Sequence, residues 1–267
     1  MRRWSTPVLA AVLGSGATVV VLLATGAMPR DGAALSALPF TTGGTASSSA
    51  RAGTGVRALQ ERSRASVVRV RAASVRADPS PYDPPDAKAG DASGSGWVLD
   101  EDGLIVCSAH VVASATDVRV TFASGRTVPA RPVGRDPETD LALLRVDPRR
   151  GELRALELGD SRAVRVGDPA VALSNPSGAE VTVAVGVVAA LERSFTAPGG
   201  LRVADVIATD AAGSDPGGPL LDGEGRVIGI NARMATADGG SATFAVPVAT
   251  LEAIRPELEA TGRVRRP

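Results

Sequence analysis

After residue 62 the sequence consists of short apolar or alternating runs, and turn-forming residues such as Glu101-Asp102-Gly103 separate them. About six runs precede a linking stretch near residues 148–168, and five or six follow it. The runs with the clearest pattern are residues 65–72, 94–100, 103–107, 117–122, 127–134, 140–146, 169–174, 180–192, 202–210, 226–233 and 242–247. Short strands joined by hairpins are typical of antiparallel barrels. We therefore predict an all-β fold of two antiparallel six-stranded β-barrels in series.

The boundaries of this fold follow from the same pattern. We expect the folded domain over residues 63–260, with the first barrel at about 63–147 and the second at about 165–247. A helix-compatible spacing of apolar residues follows the last strand, at Val248, Leu251, Ile254 and Leu258. This spacing predicts a closing helix over about 247–260. The content of 30 Gly and 19 Pro also favours an all-β fold over a helical bundle.

The first 28 residues have the pattern of a membrane segment. Arg2 and Arg3 are followed by an uncharged stretch over residues 7–28, which is long enough to span a bilayer. We predict a single-pass anchor at the cell membrane, with the folded domain outside the cytoplasm. The alternative is a cleaved signal peptide ending near Thr25-Gly26-Ala27 and a secreted protein. Residues 29–62 are rich in small residues and predict a flexible linker.

Composition limits the chemistry of the chain. The 29 basic and 29 acidic residues balance, so no basic excess indicates a nucleic-acid partner. A single Cys excludes an intrachain disulfide, and one Cys with one His excludes a zinc site built from these residue types. We expect no metal and no cofactor, and we interpret Cys107 as a small core residue. Any chemistry then depends on His110, on carboxylates or on hydroxyls.

Four groups of segments stand in a fixed order along the folded part. They are Gly94-Ser95-Gly96 with Ser108-Ala109-His110, then Asp136-Pro137-Glu138-Thr139-Asp140, then Leu158-Gly159-Asp160-Ser161 with Ser174-Asn175-Pro176, and finally Thr209-Asp210-Ala211 with Gly217-Gly218-Pro219. In this order they resemble the HtrA-like (Deg) branch of the trypsin-like serine peptidases, over about residues 64–255. The resemblance implies two barrels and a polypeptide partner, either a substrate or a bound peptide.

The resemblance also implies roles for individual residues. A serine hydroxyl becomes nucleophilic when a histidine takes its proton, and a buried carboxylate holds that histidine in the correct tautomer. His110 matches the general base, and Asp140 matches the orienting aspartate. Asp136 competes for the second role, but Asp140 directly precedes the apolar run that starts at residue 141. The substrate groove is expected at Ile230, Asn231 and Ala232.

The nucleophile loop departs from the family pattern. The family's serine directly precedes Gly-Gly-Pro, and here Pro216 precedes Gly217-Gly218-Pro219. Four residues, Gly213, Ser214, Asp215 and Pro216, stand where the family has six. Proline has no hydroxyl and lacks the N–H that this position donates to the developing oxyanion. The expected function is a catalytically impaired peptidase domain that retains peptide or protein binding.

Ser214 leaves an alternative open. A shifted alignment would make Ser214 the nucleophile of an active serine endopeptidase with His110 and Asp140. This alignment inserts Asp215 and Pro216 before the glycine pair, and oxyanion geometry tolerates little displacement. Because the sequence continues only briefly after the closing helix, we expect no PDZ domain of the kind that often follows in HtrA-like proteins.

Overall fold

The computed structural model describes residues 46–75, 82, 90–113, 115, 117–196, 202–211, 215–235 and 241–265. The predicted membrane segment at residues 1–28 lies outside the described residues, as do Gly213 and Ser214. No helix among the described residues is long and apolar enough to cross a bilayer.

Twelve strands build two closed barrels, which confirms the predicted fold class. The first barrel contains β1 Val67–Val75, β2 Gly90–Val98, β3 Leu104–Ser108, β4 Asp117–Thr121, β5 Thr127–Asp136 and β6 Leu141–Val146. The second contains β7 Pro169–Ser174, β8 Thr182–Thr196, β9 Arg202–Thr209, β10 Pro219–Leu221, β11 Val227–Ala235 and β12 Ser241–Pro247. Their orders are β1-β2-β3-β6-β5-β4 and β10-β11-β12-β9-β8-β7. Helix α1 spans Ala46–Ser63, and the closing helix α2 spans Val248–Thr261.

Strand β3 shows how one segment serves two hydrophobic cores. Every residue of β3 is buried. Ile105 and Cys107 belong to the core of the first barrel, whereas Leu104 and Val106 belong to a larger core that includes residues of both barrels and both helices. Alternate residues of a strand face opposite sides of the sheet, so a strand covered on both sides is apolar throughout. Packing on both faces therefore fixes the end of β3, which His110 follows by two residues.

A buried asparagine connects the two barrels. Asn175, directly after β7, is fully buried, and its Nδ2 donates to the Val67 carbonyl oxygen over 3.2 Å. Its backbone N–H donates to Ser95 Oγ over 2.8 Å, and its Oδ1 accepts from the Gly178 N–H over 2.8 Å. Val67 and Ser95 belong to the first barrel and Asn175 to the second. These hydrogen bonds fix the cleft between the barrels, because a buried polar group that loses its partner is costly.

Two sequence predictions need correction. The prediction of a flexible linker up to residue 62 is wrong from residue 46 onwards, where α1 lies. Leu59 is only 3% exposed, and Gln60 Nε2 donates to the Val181 carbonyl oxygen over 3.2 Å. These contacts with the second barrel stabilise the helix. Its content of small residues favours a linker instead. The strand pattern also left out β10, since its three residues are too few to form a recognisable run.

Candidate active site

His110 and Asp140 lie side by side because β3 and β6 pair. Ser108, near His110, is opposite Leu141, which follows Asp140. His110 Nδ1 lies 2.8 Å from Asp140 Oδ2 and 3.0 Å from Oδ1. The backbone N–H of His110 also donates to Oδ1 over 2.9 Å. The carboxylate therefore holds both the ring and the main chain of the histidine.

The backbone of Asp140 adopts an uncommon conformation that permits these contacts. Its φ is 57°, in the left-handed region, which aspartate tolerates better than most residues. The residue is 2% exposed, and its carbonyl oxygen accepts from the Ala109 N–H over 2.9 Å. An ionised carboxylate only accepts hydrogen bonds, so the tautomer that satisfies this pair carries its proton on Nδ1 of His110. Nε2 is then the ring atom able to take a proton from a hydroxyl.

Asp136, the alternative partner, has a different environment. Its Oδ2 accepts from the Thr139 hydroxyl over 2.6 Å, and its Oδ1 accepts from the Glu138 N–H over 3.4 Å. These contacts close the turn between β5 and β6. Of the two aspartates, the structure brings Asp140 to within hydrogen-bond distance of the imidazole.

The loop around Pro216 is fixed between β2 and β11. The Pro216 carbonyl oxygen accepts from the Ser95 N–H over 3.0 Å. Gly217 N–H donates to the Asn231 carbonyl oxygen over 2.7 Å, and Asn231 N–H donates to the Gly218 carbonyl oxygen over 2.8 Å. Gly217 has a φ of +89°, and a Cβ there would lie 2.3 Å from the Ser95 carbonyl oxygen. This position therefore requires glycine.

The side chains of the three residues expected to line the substrate groove are buried. Ile230, Asn231 and Ala232 are 1%, 2% and 4% exposed. Asn231 Nδ2 donates to the Pro219 carbonyl oxygen over 3.1 Å. Because Asn231 uses its backbone N–H and C=O for Gly218 and Gly217, a ligand on this side of β11 would meet the main chain beyond Asn231.

Asp215 precedes Pro216 and is half-buried. Its burial raises the pKa of the carboxyl, and the positive charges of Arg233 and Arg69 oppose this effect. Gly213 and Ser214, the remaining predicted residues of the loop, lie outside the described residues.

Sequence analysis missed the parts played by Gly94 and Ser95, although both belong to a quoted motif. A Cβ at Gly94 would lie 2.8 Å from Val111 Cγ2 and 3.2 Å from the Pro216 carbonyl oxygen. A side chain at position 94 would therefore clash with the residue that follows His110 and press on the Pro216 carbonyl oxygen. The two glycines around Ser95 were the available signal, but the contact with Pro216 spans more than a hundred residues of sequence.

Cys107 is a core residue, as predicted. It is fully buried, and this burial raises the pKa of the thiol, an effect to which the nearby Asp140 charge adds. A neutral buried thiol is a poor nucleophile. The described residues contain no group of three or more His, Cys, Asp or Glu side chains suited to hold a metal ion.

Comparisons with known proteins connect this geometry to a family. The trypsin-like peptidase domain matches residues 94–230. The protein named Protease Do-like 1, chloroplastic, from Arabidopsis thaliana is 40% identical over 217 residues, which cover 79% of this chain and 49% of that protein. The chain therefore spans about half the length of this relative.

Two solved structures share the fold. The crystal structure of Deg5 is similar with a TM-score of 0.62 and 31% identity, over 79% of this chain and 97% of that chain. An HtrA-type protease, AlgW, solved as a serine-to-alanine variant with a tripeptide, has a TM-score of 0.59 and 29% identity, over 77% of this chain and 64% of that chain. The chain thus belongs to the trypsin-like peptidase domain family and is an HtrA-like member of it.

Proposed function

We propose that this HtrA-like domain binds extended polypeptides in the cleft between its barrels and is impaired as a peptidase. One observation carries the proposal: Pro216 directly precedes Gly217-Gly218-Pro219, at the position where the family has its serine nucleophile. His110 and Asp140 are the proposed general base and orienting carboxylate of this site.

Proline removes two catalytic contributions at once. It has no hydroxyl to attack a carbonyl and no N–H to stabilise an oxyanion. Loss of the nucleophile in a serine peptidase of unrelated fold lowers turnover about 10⁶-fold, and loss of one oxyanion donor costs about 10²–10³-fold. The hydrogen bonds of Pro216 with Ser95 and of Gly217 with Asn231 hold these two residues in place. These contacts oppose a shift that would bring a hydroxyl into the position of Pro216.

Peptide binding is supported by one edge of β11. Strand β10 pairs with β11 only over Val227–Ile230, and among the described strands β11 continues beyond that point paired with β12 alone. Asn231 directs its backbone N–H and C=O at Gly217 and Gly218, so Arg233, two residues further, directs its own backbone groups to the same side. A peptide added as a strand along this edge would form main-chain hydrogen bonds. The neighbour AlgW was solved with a tripeptide.

A second candidate function is an active serine endopeptidase that uses Ser214. The observation in its favour is the hydrogen bond between His110 Nδ1 and Asp140 Oδ2, which has the geometry that a general base requires. In this case Ser214 would supply the nucleophile from two residues before Pro216.

Casein cleavage separates the two functions. We expect no cleavage above background by the native protein, the same result for Ser214→Ala, and little or no rescue by Pro216→Ser, because the loop remains two residues short. Rebuilding residues 213–216 as a six-residue loop ending in Asn-Ser should give measurable cleavage that His110→Ala abolishes. Cleavage by the native protein that Ser214→Ala removes would favour the endopeptidase.

We further propose that the domain is exported and held at the membrane by residues 1–28. The support is the basic N-terminus followed by an uncharged stretch. Protease added to intact cells should digest the domain. Resistance until the cells are lysed would contradict export.

A further inference from the structure

Two arginines from different barrels lie near the loop that contains Pro216. Arg69 belongs to β1 and Arg233 to β11. Burial raises the pKa of the Asp215 carboxyl, and the positive charges of both arginines oppose this effect. Neither arginine forms a salt bridge with another described residue. Two cations and one carboxylate leave an excess positive charge in the cleft when all three are ionised.

Arg69 lies on the first barrel with its side chain toward the second. It pairs with Ser95 across β1 and β2, and cross-strand neighbours project from the same face of a sheet. Its Nη1 donates to the Ser177 carbonyl oxygen, in the loop after β7, over 3.3 Å. Its Nε is buried and has no hydrogen-bond partner among the described residues. Among the described residues this N–H is therefore an unsatisfied buried donor beside the cleft.

Arg233 is exposed, and on the side of β11 away from β12 no described strand pairs with it. Its side chain projects from the same face as that of Asn231, two residues earlier, which contacts the Pro219 carbonyl oxygen. In an added antiparallel strand, the residue opposite Arg233 would have its Cβ about 4.5–5.5 Å from that of Arg233. A carboxylate at this peptide position would meet a guanidinium that offers several donors in one plane.

We propose that the peptide recognised by this cleft carries a carboxylate that Arg233 binds from the strand edge and Arg69 supports from the first barrel. This inference rests on the proposed peptide-binding function. An acidic side chain opposite Arg233 and the carboxylate of a peptide C-terminus offer the same chemistry. The carboxylate of Asp215 competes with the peptide carboxylate for the two arginines.

Fluorescence anisotropy with the full-length protein tests the inference. The probes are three extended peptides of Val, Thr and Ala: one with a central Glu and blocked ends, its Gln counterpart, and a neutral peptide with a free C-terminal carboxylate. We expect the Glu peptide to bind about five- to tenfold more tightly than the Gln peptide. Arg233→Gln should abolish this preference, Arg69→Gln should reduce it, and Asp215→Asn should increase it. Arg131→Gln, which changes an exposed strand arginine of β5, should leave it unchanged.

The outcomes distinguish this inference from the function on which it rests. If the peptide with a free C-terminal carboxylate binds tightly, and Arg233→Gln weakens this binding, the peptide C-terminus is the source of the carboxylate. Equal affinities for the Glu and Gln peptides with no gain from a free C-terminus, or equal losses in Arg233→Gln and Arg131→Gln, would overturn the carboxylate preference while peptide binding stands. Binding of none of the peptides would overturn peptide binding and the preference together.

Discussion

The backbone N–H of Ser95 donates a hydrogen bond to the carbonyl oxygen of Pro216 over 3.0 Å. This contact connects β2 of the first barrel to the loop that precedes β10 of the second. Gly94 lacks the Cβ that would lie 3.2 Å from the same oxygen and 2.8 Å from Cγ2 of Val111, the residue after His110. The cleft thus combines a hydrogen-bonded histidine–aspartate pair with a proline in the neighbouring loop, and the proposed loss of peptidase activity rests on this combination.

The hydrogen bond between His110 and Asp140 should fix the tautomer of the imidazole. Because His110 is the only histidine, its ring nitrogens give unambiguous NMR signals. We expect the native protein to carry the proton on Nδ1, and Asp140→Asn to lose this preference. The same change leaves buried groups with poorer partners and should cost about 1–3 kcal/mol of stability.

The control for this measurement is Asp136→Asn. Asp136 binds Thr139 and the Glu138 N–H, so its replacement should disturb the turn and leave the His110 tautomer unchanged. Loss of the Nδ1 proton in Asp136→Asn, with retention in Asp140→Asn, would reverse the assignment.

Docking of α1 on the second barrel can be tested at Leu59. A Cβ at Gly225 would lie 3.5 Å from Leu59 Cγ, and Leu59 is buried in the core that includes both barrels. Leu59→Ala should lower the free energy of unfolding by about 2–5 kcal/mol, as measured by urea denaturation. Arg57→Ala, which changes an exposed residue of the same helix, should have little effect. Similar results for both variants would contradict the docking of the helix.

The half-buried Asp215 should make stability depend on pH. Its pKa is raised in the folded state, mainly by burial, so ionisation is less favourable there than in the unfolded chain. Stability is then lost as pH rises from the unfolded value of about 3.9 through the raised folded value. Asp215→Asn should be more stable than the native protein near pH 7, by less than about 1 kcal/mol because the group is partly exposed.

This gain should disappear as the pH falls well below the unfolded value of about 3.9, where the carboxyl is protonated in both states. Urea titrations at several pH values measure the difference. The matched control is Asp102→Asn, which removes the charge of an exposed aspartate, and an equal pH-dependent gain there would show that burial of Asp215 is not the cause. A gain for Asp215→Asn that persists at low pH would have another cause.

Most strands could be predicted from sequence because an apolar or alternating run indicates a strand with at least one buried face. Strand β7 has the predicted bounds, Pro169–Ser174, and α2 is displaced by one residue at each end. Helix α1 escaped prediction because its stability depends on tertiary contacts of Leu59 and Gln60 rather than on its own composition. Composition alone cannot reveal such contacts.

The sequence and its family resemblance lead us to expect His110 beside Asp140, and the two side chains lie within hydrogen-bond distance. His110 stands out as the only histidine, and its expected partner Asp140 directly precedes an apolar run. The left-handed φ of Asp140, the Ser95–Pro216 hydrogen bond and the proximity of Arg69 to Asp215 could not be predicted. Each depends on the geometry of segments distant in sequence, which no local pattern encodes.

Labelling of the unmodified full-length protein with a fluorophosphonate tests the central claim most directly. The probe reacts covalently with a serine that a histidine activates, and mass spectrometry of the digested protein locates the label. The account predicts no labelling above that of the His110→Ala variant. Stoichiometric labelling at Ser214 that depends on His110 would contradict it and establish a serine peptidase with a displaced nucleophile.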